Sequence, residues 1–594
     1  MMNRSILISV VGVSILTLAI YFSYLWFLAP SDTTIRHTLG LYKPQVVGFL
    51  PYWLYGKGKD TYRDDVTTLT YFGLALSPDG TIRKEDAPTE GEPGWTLLQN
   101  EKFQGYLKDY ADHGVTLSLL VQNMVEDEIL TLLENPEGSA RTMISEVEPI
   151  MRANKFTDLN LDIESFTVAS DSTRAKYVAF VQEVKNQLQE KKLGTLTVEL
   201  TPKSPILPHF LDVEKIGAIA DFVILMAYDY HYVYSDVVGP VAPLGGVPGE
   251  ADYDVTTAVA ETVKKVPNEK LILGIPLYGY EWETMTKVPR TPVIPRSWQT
   301  ATHSRVVDLL NQCDGIASGE PTPTPQEETS GDLPFDPASC VKGFDPMALS
   351  PYLIFAGETP GHFHQIWYEN EQSLKEKYVL AKKQSLAGVA FWALGYDGEG
   401  LLNDLSTYKK GSLFRGYGRE NDDQKLFTLA SPTNGLTASV ASSTGVLKVM
   451  RFGHDTYSDE KDVLPLRMGE ALFADATSSA HISIDGVVDA QVSPGGDVYF
   501  VNGMSPNILF RHRGGDITYE VKAPIFIRVL HALFELSADS QFDVSLEGSG
   551  ATVTVVNGSG KVSAVDGDNT TTTTDISEND RIIVNGSSQT VRIR

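Results

Sequence analysis

The chain has 594 residues, which is more than one hydrophobic core normally organises, so two or three domains are expected. Hydrophobic residues make up 42% of it and aromatic residues 10%, which excludes a wholly disordered protein. The formal net charge of -27 at pH 7 argues against nucleic acid as a partner, because its phosphates would be repelled.

An uncharged apolar run, Ile6 to Leu28, follows Arg4 near the start of the chain. A helix of this length can cross the hydrocarbon core of a bilayer, which takes ~20 residues. The basic residue precedes the run and Asp32 follows it, which predicts a cytoplasmic N-terminus. A cleaved signal peptide is the alternative, although its apolar region is normally shorter. We therefore expect residues 1–30 to be a single-pass anchor in the cell membrane, residues 31–44 a tether, and the rest extracellular.

Eight runs rich in β-branched and aromatic residues follow, separated by amphipathic segments. The predicted strands are Val46–Trp53, Leu69–Leu76, Val115–Gln122, Thr157–Glu164, Thr195–Thr201, Phe222–Asp229, Lys270–Tyr278 and Leu386–Leu394. Helices are predicted at Ser172–Glu190, Asp254–Lys265 and Glu371–Lys383. Eight strand–helix units predict an α/β fold, a closed (β/α)8 TIM barrel over residues 45–415. An open, doubly wound sheet is the alternative, but no glycine-rich phosphate loop follows the first strand.

The gap between the seventh and eighth predicted strands is long and holds the run PTPTPQEETSGD. This composition indicates a flexible segment, and we interpret about residues 283–365 as an insertion beside the barrel mouth. Both cysteines of the chain, Cys313 and Cys340, lie in it. In an oxidising compartment they would form one local disulfide, and two unpaired thiols are the alternative. Two cysteines at this spacing give no zinc signature, and no metal site is predicted.

From about residue 421 the pattern changes to short alternating runs such as AHISID, DVYFVN and RIIVNG, with turn residues between them. This predicts an all-β C-terminal domain over residues 421–594, with a polar loop at Asn569–Asp575. The stretches LRMGEALFADATSSAHISIDGVVDAQVSPGGDVYF and FELSADSQFDVSLEGSGATVTVVNGSGKVSAV resemble the FecR-like domains. That resemblance implies an extracytoplasmic β roll that contacts protein or glycan of the cell envelope. A generic β-sandwich spacer is the alternative.

Polar and apolar residues alternate along the fourth predicted strand, FTDLNLDIES. Asn160, Asp162 and Glu164 therefore lie on one face of the strand. Inside a barrel this face lines the interior near the mouth, where burial and a like-charged neighbour raise a carboxyl pKa. A general acid that works near neutral pH needs such a rise. An amphipathic edge strand is the alternative, but a barrel strand has no solvent face.

This row resembles the Asp-x-x-Asp-x-Asp-x-Glu signature of glycoside hydrolase family 18, with Glu164 at the final position and Asp162 at the last Asp. Two positions depart from the signature, because Asn160 stands for the middle Asp and Thr157 for the first. The Asn-x-Asp-x-Glu version is similar to the branch of the family that acts on spore cortex and peptidoglycan.

Other stretches between about residues 45 and 405 resemble the same branch. They include FLPYW at the first strand, PLYGYEW at the seventh and IWYENEQSLKEKYVLAKKQSLAGVAFWALG near the end. The stretch MAYDY resembles the sixth-strand motif and contains Met226, Tyr228 and Asp229. The motifs occur in the order and on the strands that the family implies.

The resemblance implies hydrolysis of β-linked N-acetylglucosamine polymers, in which the 2-acetamido group of the substrate is the nucleophile. Glu164 would protonate the leaving oxygen and then deprotonate the attacking water. Asp162 would orient the acetamido N–H and stabilise the positive intermediate, and Tyr228 would hydrogen-bond the acetamido carbonyl. Asn160 would hold Asp162 without adding a charge, which predicts a shifted pH optimum. No metal and no organic cofactor is implied.

Trp392, at the end of the eighth predicted strand, is expected to form the floor on which the reacting sugar stacks. Further contacts with the substrate are expected from Tyr52, Trp53, Met226, Asp229 and Tyr278, with Trp282 extending the aromatic platform. His231 follows MAYDY and is a weaker candidate, because a lone histidine is more often structural.

The leading hypothesis is therefore a glycosidase of N-acetylglucosamine polymers, with peptidoglycan and chitin both open as substrates. A non-catalytic lectin on the same barrel is the second hypothesis, and the presence of Glu164 argues against it. A surface scaffold, whose β domain binds a partner, is the third.

Overall fold

The computed structural model describes residues 44–593, apart from 60, 88–89, 166–168, 208, 246–253, 316–336, 399, 411–434, 453–455, 461–464, 566–569 and 587–589. The predicted anchor, nearly all of the predicted tether and the proline-rich run of the insertion lie outside the described residues. Within the described ranges, no helix is long and apolar enough to cross a membrane.

Eight parallel strands close into a barrel in which each strand pairs with its neighbours in the sequence. They are β1 (Gln45–Pro51), β2 (Thr68–Ala75), β3 (Thr116–Asn123), β4 (Asp158–Ile163), β5 (Thr195–Leu200), β6 (Phe222–Leu225), β7 (Leu271–Pro276) and β8 (Gly388–Trp392). The predicted TIM barrel is thus confirmed. The largest difference is in β6, which ends four residues before its predicted end and leaves MAYD beyond the strand.

The helices lie between successive barrel strands along the chain, except for the last helix, which follows β8. They are α1 (Pro93–Leu98), α2 (Glu101–Asp112), α3 (Glu126–Leu132), α4 (Pro136–Asn154), α5 (Asp171–Lys191), α6 (Val213–Ile219), α7 (Val255–Thr262), α8 (His303–Cys313), α9 (Glu371–Lys383) and α10 (Leu405–Lys409). Single 3-10 turns occur at Tyr52–Leu54, Asn268–Lys270 and Pro337–Ser339, and a small hairpin joins Glu85–Ala87 to Glu90–Gly91. The predicted helices correspond to α5, α7 and α9.

The interior of the barrel is apolar on most of its strands but polar on β4 and β5. Inward side chains of the other strands form one buried cluster that includes Phe49, Phe72, Leu120 and Ile272. The outward leucines of β4 belong to the main core between the strands and the helices. The polar residues of β4 and β5 therefore stand out inside an otherwise hydrophobic barrel.

Between β7 and β8 the chain forms a second, antiparallel sheet of five strands. The strands are Tyr278–Thr284, Val293–Thr302, Val341–Asp345, Ser350–Ala356 and Phe363–Trp367. A disulfide joins Cys313, at the end of α8, to Cys340. We call this part the insertion sheet; it begins at Tyr278, immediately after β7, so the chain leaves the barrel earlier than predicted.

The C-terminal part of the chain is β-rich and contains 17 strands within the described residues. They are Ala438–Thr444, Leu447–Met450, Tyr457–Glu460, Pro465–Leu466, Glu470–Ala474, Ser479–Ile484, Val488–Val492, Asp497–Asn502, Leu509–Val521, Ile525–Val529, Ala532–Leu536, Ser540–Glu547, Gly550–Asn557, Ser559–Val565, Thr571–Ser577, Arg581–Asn585 and Thr590–Ile593. Successive antiparallel pairs alternate between two layers that share one hydrophobic core. We call this part the β region.

The predicted polar loop at Asn569–Asp575 is wrong for most of its length, because Thr571–Ser577 is a strand paired with Ser559–Val565. Threonine is β-branched and favours strands, which here outweighs its polarity. Thr571 is also buried, and its hydroxyl donates to Glu283 Oε1 of the insertion sheet at 3.1 Å.

The β region packs against the insertion sheet and the segment that follows β6. An apolar seam between them is formed by Val237, Ile294, Val501, Leu509, Phe526, Leu533 and Val565. Within the seam, the carboxylate of Asp236 is fully buried and forms ion pairs with Arg528 and Arg511 of the β region. The segment after β6, which contains Tyr228 and Asp229, is therefore joined to the β region through Asp236.

Candidate active site

The row on β4 lies inside the barrel, at the carboxyl ends of the parallel strands. Asn160 and Asp162 are 1% and 3% exposed, and Glu164 lies just beyond the strand. The backbone N–H of Glu164 donates to Asn123 O at 3.0 Å, which continues the pairing of β4 with β3 and fixes the direction of the residue. The three side chains thus lie on the inner face of β4 and its direct continuation.

Burial controls the ionisation of this row. It raises the pKa of Asp162 to about 7. Burial also raises the pKa of Glu164 well above its usual range, and the negative charges of Asp162 and Asp229 raise it further. A protonated carboxyl beside an ionised one is the arrangement that a general acid and an electrostatic stabiliser require.

A carboxylate that our sequence analysis missed, Glu199, completes the buried cluster. It lies near the end of β5, is 3% exposed, and accepts a hydrogen bond from Asn160 Nδ2 at 2.7 Å. The alternation of Thr195, Thr197 and Glu199 in TLTVEL is the signal that could have placed it on the inner face.

Thr157 stands where the signature has its first Asp, and the next residue partly compensates for the missing acid. Thr157 is exposed, but Asp158 is buried at the start of β4. Its carboxylate accepts hydrogen bonds from Ser118 Oγ at 2.7 Å, Thr195 Oγ1 at 2.6 Å and Thr197 Oγ1 at 3.0 Å. An acid is therefore present low in the barrel, one residue later than the signature places it.

The segment after β6 brings Tyr228 and Asp229 to the same mouth. Asp229 has a φ of 58°, a left-handed conformation that aspartate tolerates better than most residues. Its Oδ1 accepts hydrogen bonds from Tyr278 at 2.5 Å and from Tyr280 at 3.2 Å. Burial raises the pKa of Asp229 to about 6, although these two donors oppose the rise.

Tyr228 is buried beside the acidic cluster. Burial and the negative charge of Glu199, then those of Asp162 and Glu164, raise its pKa well above the ordinary value, so the hydroxyl keeps its proton. It is therefore available as a hydrogen-bond donor. Met226 is also buried, at 8% exposed, at the end of β6. Tyr280 was not predicted, although it shares a strand face with Tyr278.

Aromatic side chains form the wall on the β1 and β8 side. The ring of Trp392 lies 5.6 Å from that of Phe49 and 4.9 Å from that of Phe72, and Trp53 lies 6.4 Å from it. Tyr52 packs edge-on against Trp53 at 4.9 Å. Trp392, Trp53 and Tyr52 are all partly exposed, which leaves aromatic surface for a sugar ring.

Two of the weaker predictions are wrong. Trp282 is 0% exposed, buried in the insertion sheet beside Tyr280, so it offers no face to a sugar. His231 is 1% exposed, and its Nδ1 lies 3.0 Å from Pro240 O. Burial lowers the pKa of His231 to about 3, so it is a neutral structural residue.

Three exposed aromatic residues that the sequence analysis did not single out lie together. Tyr234 is 70% exposed, and its ring is 5.9 Å from Tyr232 and 6.1 Å from Trp298. Tyr232 is 41% exposed and Trp298 40%, and among the described residues no other Phe, Tyr or Trp is as exposed as these three. They join the segment after β6 to the insertion sheet, and we call them the aromatic rim.

The arrangement can donate a proton, stabilise a positive charge beside it and hold a sugar on aromatic surfaces. Within the described part of the chain, no group of three or more His, Cys, Asp or Glu side chains is arranged to hold a metal ion. The chemistry that these residues themselves offer is acid–base and electrostatic.

Comparison with known proteins agrees with this geometry. Residues 45–397 match the family model described as Glycosyl hydrolases family 18, which covers more than half of the chain. The chain is 28% identical over 346 residues to the uncharacterized glycosylase YvbX of Bacillus subtilis, covering 57% of this chain and 83% of the relative. It is 24% identical over 292 residues to the Cortical fragment-lytic enzyme of Bacillus subtilis, covering 47% and 57%. It is also 24% identical over 289 residues to Di-N-acetylchitobiase of Mus musculus, covering 46% and 70%.

Proposed function

Because this chain belongs to family 18 of the glycosyl hydrolases, and is therefore a glycosidase, we propose that it hydrolyses β-1,4 linkages of N-acetylglucosamine-containing glycans. The observation that carries the proposal is the row on β4. A buried Asp162 lies next to Glu164, whose pKa is raised by burial and by that neighbour. The names of two relatives, Cortical fragment-lytic enzyme and Di-N-acetylchitobiase, support the same class of substrate.

Glu164 acts first as the general acid. Its protonated form is favoured because the charged form is poorly solvated and is repelled by Asp162 and Asp229. It gives its proton to the leaving glycosidic oxygen and, after the first step, takes a proton from the attacking water. One carboxyl thus serves both half-reactions.

Asp162 supports the substrate's own nucleophile. In the family mechanism the acetamido carbonyl oxygen attacks the anomeric carbon, so no second protein carboxylate attacks. An ionised Asp162 accepts the acetamido N–H and stabilises the positive charge of the cyclic intermediate. Tyr228, which keeps its proton, donates to the acetamido oxygen, and Asp229 is held by two tyrosines beside it.

We propose peptidoglycan as the preferred substrate, with chitin as the second candidate. The Asn160 form of the signature supports this choice, as does the similarity to an enzyme named for lysing cortical fragments. The aromatic rim would bind sugar units beyond the reacting one, because pyranose rings stack on exposed aromatic faces.

We also propose that residues 1–30 hold the enzyme at the cell membrane with its barrel outside, on the apolar run and the charges that flank it. The β region would then be a FecR-like domain that contacts envelope protein or glycan, as its alternating pattern and resemblance indicate. Because the β region also packs on the insertion sheet, we propose that it supports the barrel of the same chain.

The test is hydrolysis by the full chain on purified peptidoglycan and on chitin oligomers, side by side. We expect new reducing ends from both, with faster release from peptidoglycan and N-acetylglucosamine at the new reducing ends. Faster cleavage of chitin would reverse the order of the substrates. Binding of both glycans without any cleavage would instead indicate a lectin on this barrel.

A further inference from the structure

Three buried side-chain oxygen atoms on β4 and β5 lack a hydrogen-bond partner within the described residues. They are Asn160 Oδ1, Asp162 Oδ1 and Glu199 Oε2. None of them belongs to a residue that is more than 3% exposed. Each is an acceptor unless a carboxyl is protonated, and buried acceptors without donors are costly. As long as Asp162 and Glu199 are both ionised, the cluster therefore has more hydrogen-bond acceptors than donors.

Glu199 and Asp162 lie side by side across the two strands. β4 and β5 are parallel, with Asn160 opposite Thr197 and Leu161 opposite Val198. One further step along this register places Asp162 level with Glu199, and both side chains face the barrel interior. The hydrogen bond from Asn160 Nδ2 to Glu199 Oε1, at 2.7 Å, connects the two strands just below that level.

Three acids on or just beyond β4, namely Asp162, Glu164 and Asp158, act electrostatically on Glu199. The neutral hydroxyls of Tyr177, on α5, and Tyr228, after β6, also interact with its charge, and Asp229 interacts with Tyr228. Burial and the charge of Asp162 raise the pKa of Glu199 well above its usual range, and the hydrogen bond from Asn160 opposes the rise only in part. Two carboxyls in this position cannot both ionise easily, so they hold one proton between them.

We propose that Glu199 is a positioning residue for the reaction, which shares one proton with Asp162 and so sets the pH at which Asp162 becomes ionised. This role rests on the proposed function of the site. Asn160 cannot hold a proton of this kind, since its amide is neutral. The carboxyl that the signature places on β4 is thus supplied by the neighbouring strand.

The proposal predicts a shifted pH profile for Glu199→Gln. A glutamine keeps the size of the side chain and can still accept the hydrogen bond from Asn160. It removes a like charge, so Asp162 ionises at lower pH. The acidic limb of kcat/KM should move down by about one pH unit, which means about tenfold higher kcat/KM at a fixed pH below the limb.

Two further variants separate this role from a merely structural one. Asn160→Asp combined with Glu199→Gln returns a second carboxyl to the cluster and should move the limb back toward the wild-type position. Asp158→Asn removes a buried carboxyl that already has three hydroxyl donors and whose charge is the smallest of those that raise the pKa of Glu199, so it should move the limb less than Glu199→Gln does. An unmoved limb in Glu199→Gln would overturn the proposal.

Urea unfolding tests, without any substrate, whether Glu199 and Asp162 share a proton. A buried carboxyl with a raised folded-state pKa stabilises the fold below its unfolded pKa, and that stability is lost as the pH rises through the folded pKa. Glu199→Gln should therefore lose less stability than wild type between pH 5 and pH 9. Equal losses would contradict shared protonation, whether or not the protein cleaves a glycan. An inactive wild type with the expected unfolding difference would instead count against the proposed function alone.

Discussion

Replacing Glu164 with Gln is expected to lower kcat/KM by about 10²–10⁴-fold, the usual contribution of a general acid. The glutamine has nearly the same shape but has no proton to give to the leaving oxygen. Glu164 is also held in an unfavourable setting, since burial and two negative neighbours oppose its ionised form. The variant should therefore fold at least as well as wild type at high pH, where the wild-type residue would carry a charge.

The measurement is initial-rate hydrolysis of the peptidoglycan and chitin oligomers, with thermal unfolding in parallel. Glu146→Gln is a matched control, because Glu146 pairs with Lys84 on the surface and lies outside the site. We expect its rate to equal that of wild type. If Glu164→Gln kept wild-type activity, another residue would have to supply the proton.

Replacing Asp236 with Asn is expected to lower the free energy of unfolding by about 3–5 kcal/mol. Asp236 is fully buried in the seam, and Arg528, 6% exposed, lies against it. An asparagine keeps the shape but leaves a buried guanidinium without its counter-charge. The nearby Nη2 bond of Arg528 to Val293 O, at 2.5 Å, cannot replace a carboxylate.

Urea unfolding of the full chain measures this effect. Arg511→Gln is the matched control, because the Arg511 side chain is 39% exposed and its removal still leaves Asp236 paired with Arg528. It should cost about 1 kcal/mol or less. The double variant Asp236→Asn with Arg528→Met removes both charges and should be more stable than Asp236→Asn alone. A single Asp236→Asn variant as stable as wild type would show that the seam does not depend on this pair.

The alternation on β4 and the order of the eight strands could be predicted from the sequence. A buried parallel strand leaves a strong periodic signal, and most predicted strand ends lie within two residues of those observed. Glu164, Asp162 and Tyr228 come together at the mouth because parallel strands end on the same side of a barrel. These features follow from the alternation of residues along each strand and from the rule that parallel strands of a barrel end on the same side.

The remaining parts depend on pairings between distant segments. Glu199 and Tyr280 become significant only when β5 lies beside β4 and the insertion sheet lies over Asp229. The seam joins Asp236 to Arg528, which is 292 residues further along the chain. Neither residue differs locally from an ordinary surface charge. The polar composition of Thr571–Ser577 led to the prediction of a loop, although its β-branched residues favour extended backbone.

The central claim, that the acetamido group of the substrate is the nucleophile beside Asp162 and Glu164, is tested most directly with a pair of oligosaccharides. One is an N-acetylglucosamine oligomer, and the other carries a free amine in place of the acetamido group on the sugar that is attacked. Cleavage and the anomeric form of the first product are followed by NMR. We predict cleavage of the acetylated oligomer only, with the β-anomer appearing first, as retention requires. Equal cleavage of both oligomers, or first appearance of the α-anomer, would contradict the account.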